Sequence, residues 1–272
     1  MGFRERNGLG IRQGFNVKLG GGFDPDYQAV LDYATTEGDT LPPAGVQDAQ
    51  NTLMISLKDG GVFSKLDHLS IWHDGTTGLS GFKSIDWVRL SKATLVSSPS
   101  FTVNGVQGNG SSSYVDLNYN PTTDAVNYSL NDHSYGAYNH NSTAGAGVLI
   151  SAFGNNGVFC EISTDNPNTR YIVFDSSTLG RTPSVPSGQQ DGHLENNRNN
   201  SSDFEIYKDG VILPKATVSS VSNPNVNFRL FARDNNSFYS DGIARYSFIG
   251  ASLTLTERTA FINAMNTYFS AL

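Results

Sequence analysis

A single cysteine, Cys160, in a chain of 272 residues excludes an intrachain disulfide. Packing and hydrogen bonds must therefore hold the fold. Its neighbours, Val158-Phe159-Cys160-Glu161-Ile162, alternate as a strand does, which marks a buried inert thiol rather than a nucleophile. Charge is also scarce, at 16% of residues against about 25% in an average soluble protein. The net charge is −7, and no basic stripe follows the first few residues, so a phosphate backbone has nothing to bind. No apolar run approaches the roughly 20 residues needed to cross a bilayer. The segment Met1-Gly2-Phe3-Arg4-Glu5-Arg6 has no apolar core of the usual signal-peptide kind, and Arg6 breaks the myristoylation pattern. The expectation is a soluble protein with neither nucleic acid nor membrane as partner.

Reactive motifs are missing as well. There is no G-x-S-x-G elbow and no phosphate-binding loop. Gly105-Val106-Gln107-Gly108-Asn109-Gly110 has no helix after it and reads as a bend. His68 and His73 are five apart and His133 and His140 are seven apart, and odd separations in a strand point side chains to opposite faces. Neither pair is a natural chelate. Structural calcium stays open at Asp116-Leu117-Asn118 or Asp165-Asn166, whose hard oxygens suit it, although solvated turn residues have the same composition. Asp203 and Glu205 share one strand face and are the nearest approach to a glycosidase pair. Lys208 and Asp209 follow them closely, which favours a solvated strand end. No catalytic, cofactor or metal residue is assigned, and the chain is expected not to be an enzyme.

What the chain does have is Asn, Ser, Thr and Gly, crowded in Asn196–Ser202 and Ser219–Asn227, where short polar side chains suit exposed turns. Residues 1–23 form a Gly-rich arm in which Arg4, Arg6, Arg12 and Lys18 alternate with Phe3, Leu9, Ile11, Phe15, Val17 and Leu19. Such an arm is either a loose terminus or a peg that orders on a partner. Asp24 before Pro25 starts a helix, with Tyr27, Val30, Leu31 and Ala34 at helical spacing and Gly38 as its stop. A second helix runs from Pro42-Pro43 to Gly60-Gly61 with Val46, Ala49, Leu53, Met54 and Leu57 on one face. The pair, within residues 24–66, predicts a helical hairpin packed on a sheet.

From residue 67 to 272 the pattern predicts a β-sandwich closed by a helix. Strand candidates are Ala93–Val96, Phe101–Val106, Ser113–Leu117, Ser134–Asn139, Gly147–Phe153 and Val158–Ser163. Further on come Arg170–Phe174, Phe204–Lys208, Val211–Leu213, Asn227–Ala232 and Gly242–Ile249. Leu69, Ile71, Phe82, Ile85 and Trp87 introduce them. Many short strands between turn residues indicate a sandwich or barrel. Asp209-Gly210 is a hairpin turn of the type needing positive φ twice. Thr254 and Glu257 form a capping box for the last helix, whose stripe is Phe261, Ile262, Met265, Tyr268 and Phe269. Tyr119, Tyr128, Tyr135, Tyr138 and His140 are either core or a surface on which sugar rings could stack.

The stretch from Asp24 onward resembles a family of concanavalin-like, laminin-G-like proteins found in bacteriophages and flavobacterial-type bacteria. The likeness rests on Val62-Phe63-Ser64-Lys65-Leu66-Asp67 after the helical pair, and on Gly108-Asn109-Gly110-Ser111-Ser112-Ser113-Tyr114-Val115-Asp116. It continues in Val126-Asn127-Tyr128-Ser129-Leu130-Asn131-Asp132-His133-Ser134-Tyr135-Gly136-Ala137-Tyr138 and in Ile243-Ala244-Arg245-Tyr246-Ser247-Phe248-Ile249-Gly250-Ala251-Ser252-Leu253-Thr254. It implies a mainly β, two-sheet antiparallel jelly-roll sandwich with an N-terminal helical hairpin and a C-terminal helix. It carries no catalytic or metal motif. The expected function is that of a bacteriophage virion surface protein in a tail fibre, tail tip or capsid spike. Such a protein assembles in the host cytoplasm, docks on other virion proteins through residues 1–23 and binds host-surface glycan, as a homo-oligomer. A structural decoration protein without ligand is the alternative, and a glycan-cleaving enzyme is a third reading.

Overall fold

The computed structural model describes residues 22–140, 147–154, 158–165, 170–175, 178–181, 191–214 and 217–272. The expected arm lies outside these except for Gly22 and Phe23. Helix α1 is Pro25–Thr36 and begins where Asp24 accepts from the Asp26 amide, with proline in the first turn. Helix α2 is Ala44–Asp59. Lys58 near its end reaches back to Asp24 and Asp26 at 3.0 and 2.7 Å, tying the two helices together. The one-turn helix α3, Ser80–Lys83, takes up Phe82 where a strand was expected. Helix α4 is Leu255–Ser270, and both halves of the Thr254–Glu257 capping box are formed.

The early strands are β1 (Leu66–Ile71), β2 (Ile85–Asp86), β3 (Ser91–Lys92), β4 (Thr94–Val96), β5 (Ser100–Thr102) and β6 (Gly105–Gln107). Then come β7 (Tyr114–Asp116), β8 (His133–His140), β9 (Gly147–Phe153), β10 (Phe159–Asp165), β11 (Arg170–Asp175) and β12 (Thr178–Arg181). The last are β13 (Gly192–Arg198), β14 (Glu205–Lys208), β15 (Val211–Leu213), β16 (Arg229–Leu230) and β17 (Ile243–Gly250). Every pairing among them is antiparallel. One sheet has the order β15-β14-β13-β8-β17-β6-β5, with β1 also on β17, and a second has the order β12-β11-β10-β9-β16-β7-β4.

Two expectations are corrected. Phe101–Val106 is a hairpin rather than one strand, because the chain turns at Val103-Asn104 between β5 and β6. Gly105 makes that possible at φ +132°, where a side chain would run into the Ala244 carbonyl. The Asn-rich stretch beginning at Asn196 is an exposed loop only from Asn199. Asn196 and Asn197 lie in β13, a strand buried along its whole length. The Asp209-Gly210 turn is as expected, with φ of 50° and 80°.

Alternation in the strands divides the apolar residues between two cores. Val106, Val115, Tyr135, Ile150, Ile162, Leu194, Leu230 and Ile249 meet between the two sheets. The other face of the eight-stranded sheet, with Tyr246 and Phe248, is covered by Tyr27, Leu53, Met54, Leu57, Phe261 and Met265 from the helices. A polar chain crosses this helical layer. Tyr27 donates to Gln50 at 2.7 Å, Gln50 donates to Tyr268, and Tyr268 donates to the His73 carbonyl at 2.9 Å.

Charge is also buried under α4. The Arg258 guanidinium donates to both oxygens of Glu195 on β13, at 2.7 and 2.8 Å, with both side chains at or below 1% exposure. Removing one partner of such a pair costs about 3–5 kcal/mol, whereas replacing both by apolar groups is far milder. Urea unfolding should accordingly show Arg258→Met losing that amount, and Glu195→Leu/Arg258→Met recovering much of it. At the edge of the same sheet Asp86 accepts from His68 at 2.8 Å and Arg89 at 2.6 Å. Burial pushes the Asp86 carboxyl up, but His68 and Arg89 outweigh it and hold the group at about 2 against an ordinary 3.8. A depressed carboxyl stabilises the fold above its unfolded pKa and loses that contribution as pH falls through its folded one. About 2 kcal/mol should therefore disappear between about pH 4 and pH 2. Unfolding free energies of Asp86→Asn measured across that window should fall less steeply than those of the parent.

Candidate functional site

Among the described residues no helix covers the seven-stranded sheet, and its outer face carries a built arrangement. Glu161 lies opposite Ser151, Ser151 opposite Arg229, and Arg229 opposite Asp116. Directly opposed residues share a face, so these four form a row across β10, β9, β16 and β7. Cys160, Ile162, Ile150, Leu230 and Val115 alternate with them and point into the inter-sheet core. One row away Phe159 opposes Phe153, and the rings stack at 4.6 Å.

The loop after β16 is fastened onto this face by two arginines. Arg233 donates from Nε and Nη2 to the Glu161 carboxylate at 2.6 and 2.7 Å, and Ser151 and Ser163 donate to the same carboxylate at 3.2 and 3.0 Å. Glu161 is fully buried and fully satisfied. Arg229 pairs with Asp116 and Asp234 at 3.3 and 2.8 Å and donates to the Asp234 carbonyl at 2.9 Å. Its guanidinium lies 4.5 Å from the Tyr114 ring centroid. Arg233 stands between two rings, 4.4 Å from Phe153 and 3.9 Å from Phe238. The result is a continuous ladder of Phe159, Phe153, Arg233 and Phe238. Phe238 ends it, 53% exposed, at φ 54°. Phe231 and Asn236 in the same loop also have positive φ, and non-glycine residues held there cost energy that only surrounding contacts sustain.

The residues singled out in the sequence lie elsewhere. Tyr119, Tyr128 and Tyr135 are core. Tyr119 donates to Asp67 at 2.9 Å, and burial beside that carboxylate pushes its phenol far up. Tyr128 stacks on His133 at 4.4 Å and lies 3.4 Å from the Cys160 sulfur, which is fully buried. Tyr138 and His140 reach the surface, on the other sheet. Asp203 accepts from the Phe204 and Val218 amides, and Glu205 accepts from Tyr207 at 2.7 Å, so each carboxylate serves its own neighbourhood. Asp116 is engaged by Arg229 and Asn227. Asn166 and the Asp165 side chain lie outside the described residues. Among the described residues no group of three or more His, Cys, Asp and Glu could hold a metal ion. The ladder itself escaped the sequence reading. The alternation around Cys160 put Phe159 and Glu161 on one face, but nothing local announces an arginine 72 residues away.

No protein-family model matches the sequence, and neither does any curated protein. Solved structures do. The Trypanosoma rangeli sialidase in complex with sialic acid aligns with a TM-score of 0.54 at 12% identity, over 80% of this chain and 39% of the sialidase. Domain 4 of AbnA, a GH43 extracellular arabinanase from Geobacillus stearothermophilus, in complex with arabinotriose, aligns with a TM-score of 0.52 at 17% identity. That alignment covers 73% of this chain and 98% of the domain. This chain thus spans about two fifths of the sialidase and nearly all of the arabinanase domain. Identities this low show a shared fold alone: a mainly β architecture of antiparallel sheets.

The Glu161–Arg233 clamp should decide how firmly the loop is held. Glu161→Gln is expected to speed hydrogen exchange at the amides of residues 231–240 by at least about tenfold, the weight of one charge-assisted hydrogen bond. Exchange at β8 and β17 should stay unchanged.

Proposed function

We propose that this chain is a carbohydrate-binding domain of the concanavalin-like, laminin-G-like jelly-roll class, and that the outer face of the seven-stranded sheet is its contact surface. The observation that carries the reading is the ladder ending in Phe238. An exposed ring held in a costly backbone conformation by an arginine is a stacking platform for the apolar face of a sugar. The exposed Asn235 and Asn236 and the Asp116–Arg229 pair beside it supply groups for hydroxyls. The arabinanase domain, solved with arabinotriose, lends support as a protein of the same fold seen with a saccharide.

Binding without cleavage is part of the proposal. Both oxygens of Glu161 are taken by Arg233 and two serines, which leaves none to protonate a leaving group. The placement on a bacteriophage virion, as a host-attachment protein, rests on the sequence resemblance alone. A decoration protein on the same particle would carry no ligand.

Glycan-array binding by the purified chain tests the reading. Phe238→Ala should weaken the bound glycan by at least about tenfold while the melting curve stays in place. No array binding, or binding indifferent to Phe238, overturns the platform. Reducing-sugar release from the bound glycan overturns the inert reading.

A further inference from the structure

Arg245 is the exception among the arginines whose side chains are described. Arg89, Arg198, Arg229, Arg233 and Arg258 each donate to a carboxylate or a backbone carbonyl. Arg245 donates to neither, and its Nε is buried with no hydrogen-bond partner. In a chain of net charge −7, acidic partners are plentiful, yet this cation has none. Leaving a buried donor of a charged group without an acceptor is unfavourable. Among the described residues the other buried side-chain atoms in this condition belong to Asp39, Asp74, Ser91, Asn196, Asn223 and Asp241, so Arg245 is the one cation of the set, and an anion is what would satisfy it.

The backbone aims it. A bulge in β17 between Ala244 and Ser247 breaks the alternation against β8, as bulges do where a side chain is redirected. Arg245 and Tyr246 consequently both lie on the helical side. The Arg245 guanidinium is 5.2 Å from the ring centroids of Tyr138 and Phe269, and Tyr246 stacks on Phe269 at 6.0 Å. The Arg245 carbonyl is pinned by the amides of Trp72 and His73 at 2.9 and 3.0 Å. His73, against Phe269 at 5.2 Å, closes the inner side, and His140 stands at the outer.

Two carboxylates stand near, Asp191 and Asp209, and both act on Tyr138 against Arg245. Burial, then Arg245, lowers His73 to about 4, and the same two causes lower His140, with Asp191 opposing them. Both imidazoles are therefore neutral at pH 7. Asp191 is 3.9 Å from His140 and makes no ion pair with Arg245. Lys208 is occupied by Asp209 at 2.6 Å. Among the described residues Arg245 is the positive charge left without an acceptor there.

We propose that Arg245, with Tyr138 and His140 beside it, binds the carboxylate of an acidic saccharide, at a site on the opposite sheet from the Phe238 platform. A planar monoanion matches a single guanidinium. A phosphate dianion would call for a second free cation, and none stands there among the described residues. The Tyr138 hydroxyl and the His140 ring offer partners for ring hydroxyls. The saccharide part rests on the glycan-binding reading, and the carboxylate part does not.

The test is titration of the full chain, followed calorimetrically and by NMR, with glucuronic acid, N-acetylneuraminic acid, the methyl ester of each, glucose and inorganic phosphate. Both acids should bind and shift the His140 and Tyr138 signals, while the esters and glucose do neither. Arg245→Met should weaken the acids by at least about tenfold, and Phe238→Ala should leave them unchanged. Should Arg245→Met fail to fold, the acid-against-ester contrast at the His140 signal decides alone. Acids that bind no better than their esters, or that bind Arg245→Met equally well, overturn the site. Phosphate binding as tightly as the acids overturns the saccharide assignment. Acid binding that depends on Arg245 in a chain indifferent to Phe238 separates the failure of the platform from the failure of this site.

Discussion

A carboxylate buried on a β-sheet has to be neutralised, and Glu195 is neutralised by an arginine 63 residues further along the chain. That demand fixes α4. Arg258 can reach both Glu195 oxygens only if the helix lies across β13, and the Leu253 amide, donating to Asn197 at 2.7 Å, sets where the helix begins. His193 extends the network by meeting Glu195 at 3.1 Å and the Tyr246 hydroxyl at 2.7 Å. Once α4 is placed, Phe261 and Met265 fall onto Tyr246 and Phe248, and α2 packs against it in turn. Ion pairs like this add little net stability over an apolar contact. Their effect is to make other placements of the helix costly, since each would strand a charge.

The second sheet repeats the device for a different end. Glu161 on β10 is satisfied by Arg233, but Arg233 belongs to a loop and not to a helix. The same bidentate geometry therefore fastens a loop over Glu161 and holds Phe238 outward. One buried glutamate builds a layer of the fold, and the other builds a surface. This also bears on chemistry. Among the described residues, Glu161 and Glu195 are spent on guanidinium groups and Asp67 on a phenol and three backbone amides. Acids consumed in this way are poor candidates for proton transfer and good ones for rigidity, which suits recognition by preorganised contacts.

Those pairings also explain how much was legible beforehand. Helix starts are local events, so Asp24-Pro25 and the Thr254–Glu257 box declared α1 and α4 without tertiary help. The Asp209-Gly210 turn did the same, because positive φ at two successive residues is a property of the backbone itself. β13 stayed hidden. Gly-His-Leu-Glu-Asn-Asn-Arg has a single aliphatic residue, and His193, Glu195, Asn197 and Arg198 are buried against Tyr246, Arg258, the Leu253 amide and the Val218 carbonyl. A local window holds no trace of partners 20 to 63 residues away.

The sequence alone determined the elements and their class. Period-two patterning, turn chemistry and capping residues act over a few residues, and they specified antiparallel strands between helices near either end. Tertiary structure decided which aromatic rings became core and which became surface. Tyr119, Tyr128 and Tyr135 look no different in sequence from Tyr138, or from Phe153 and Phe159. Sheet pairing turned the first three inward, a bulge in β17 set Arg245 beside Tyr138, and Arg233, held by a glutamate 72 residues away, propped up Phe238. The Phe238 surface is a product of long-range charge matching and the Arg245 site of a bulge in the backbone, and the order of residues along the chain displays neither.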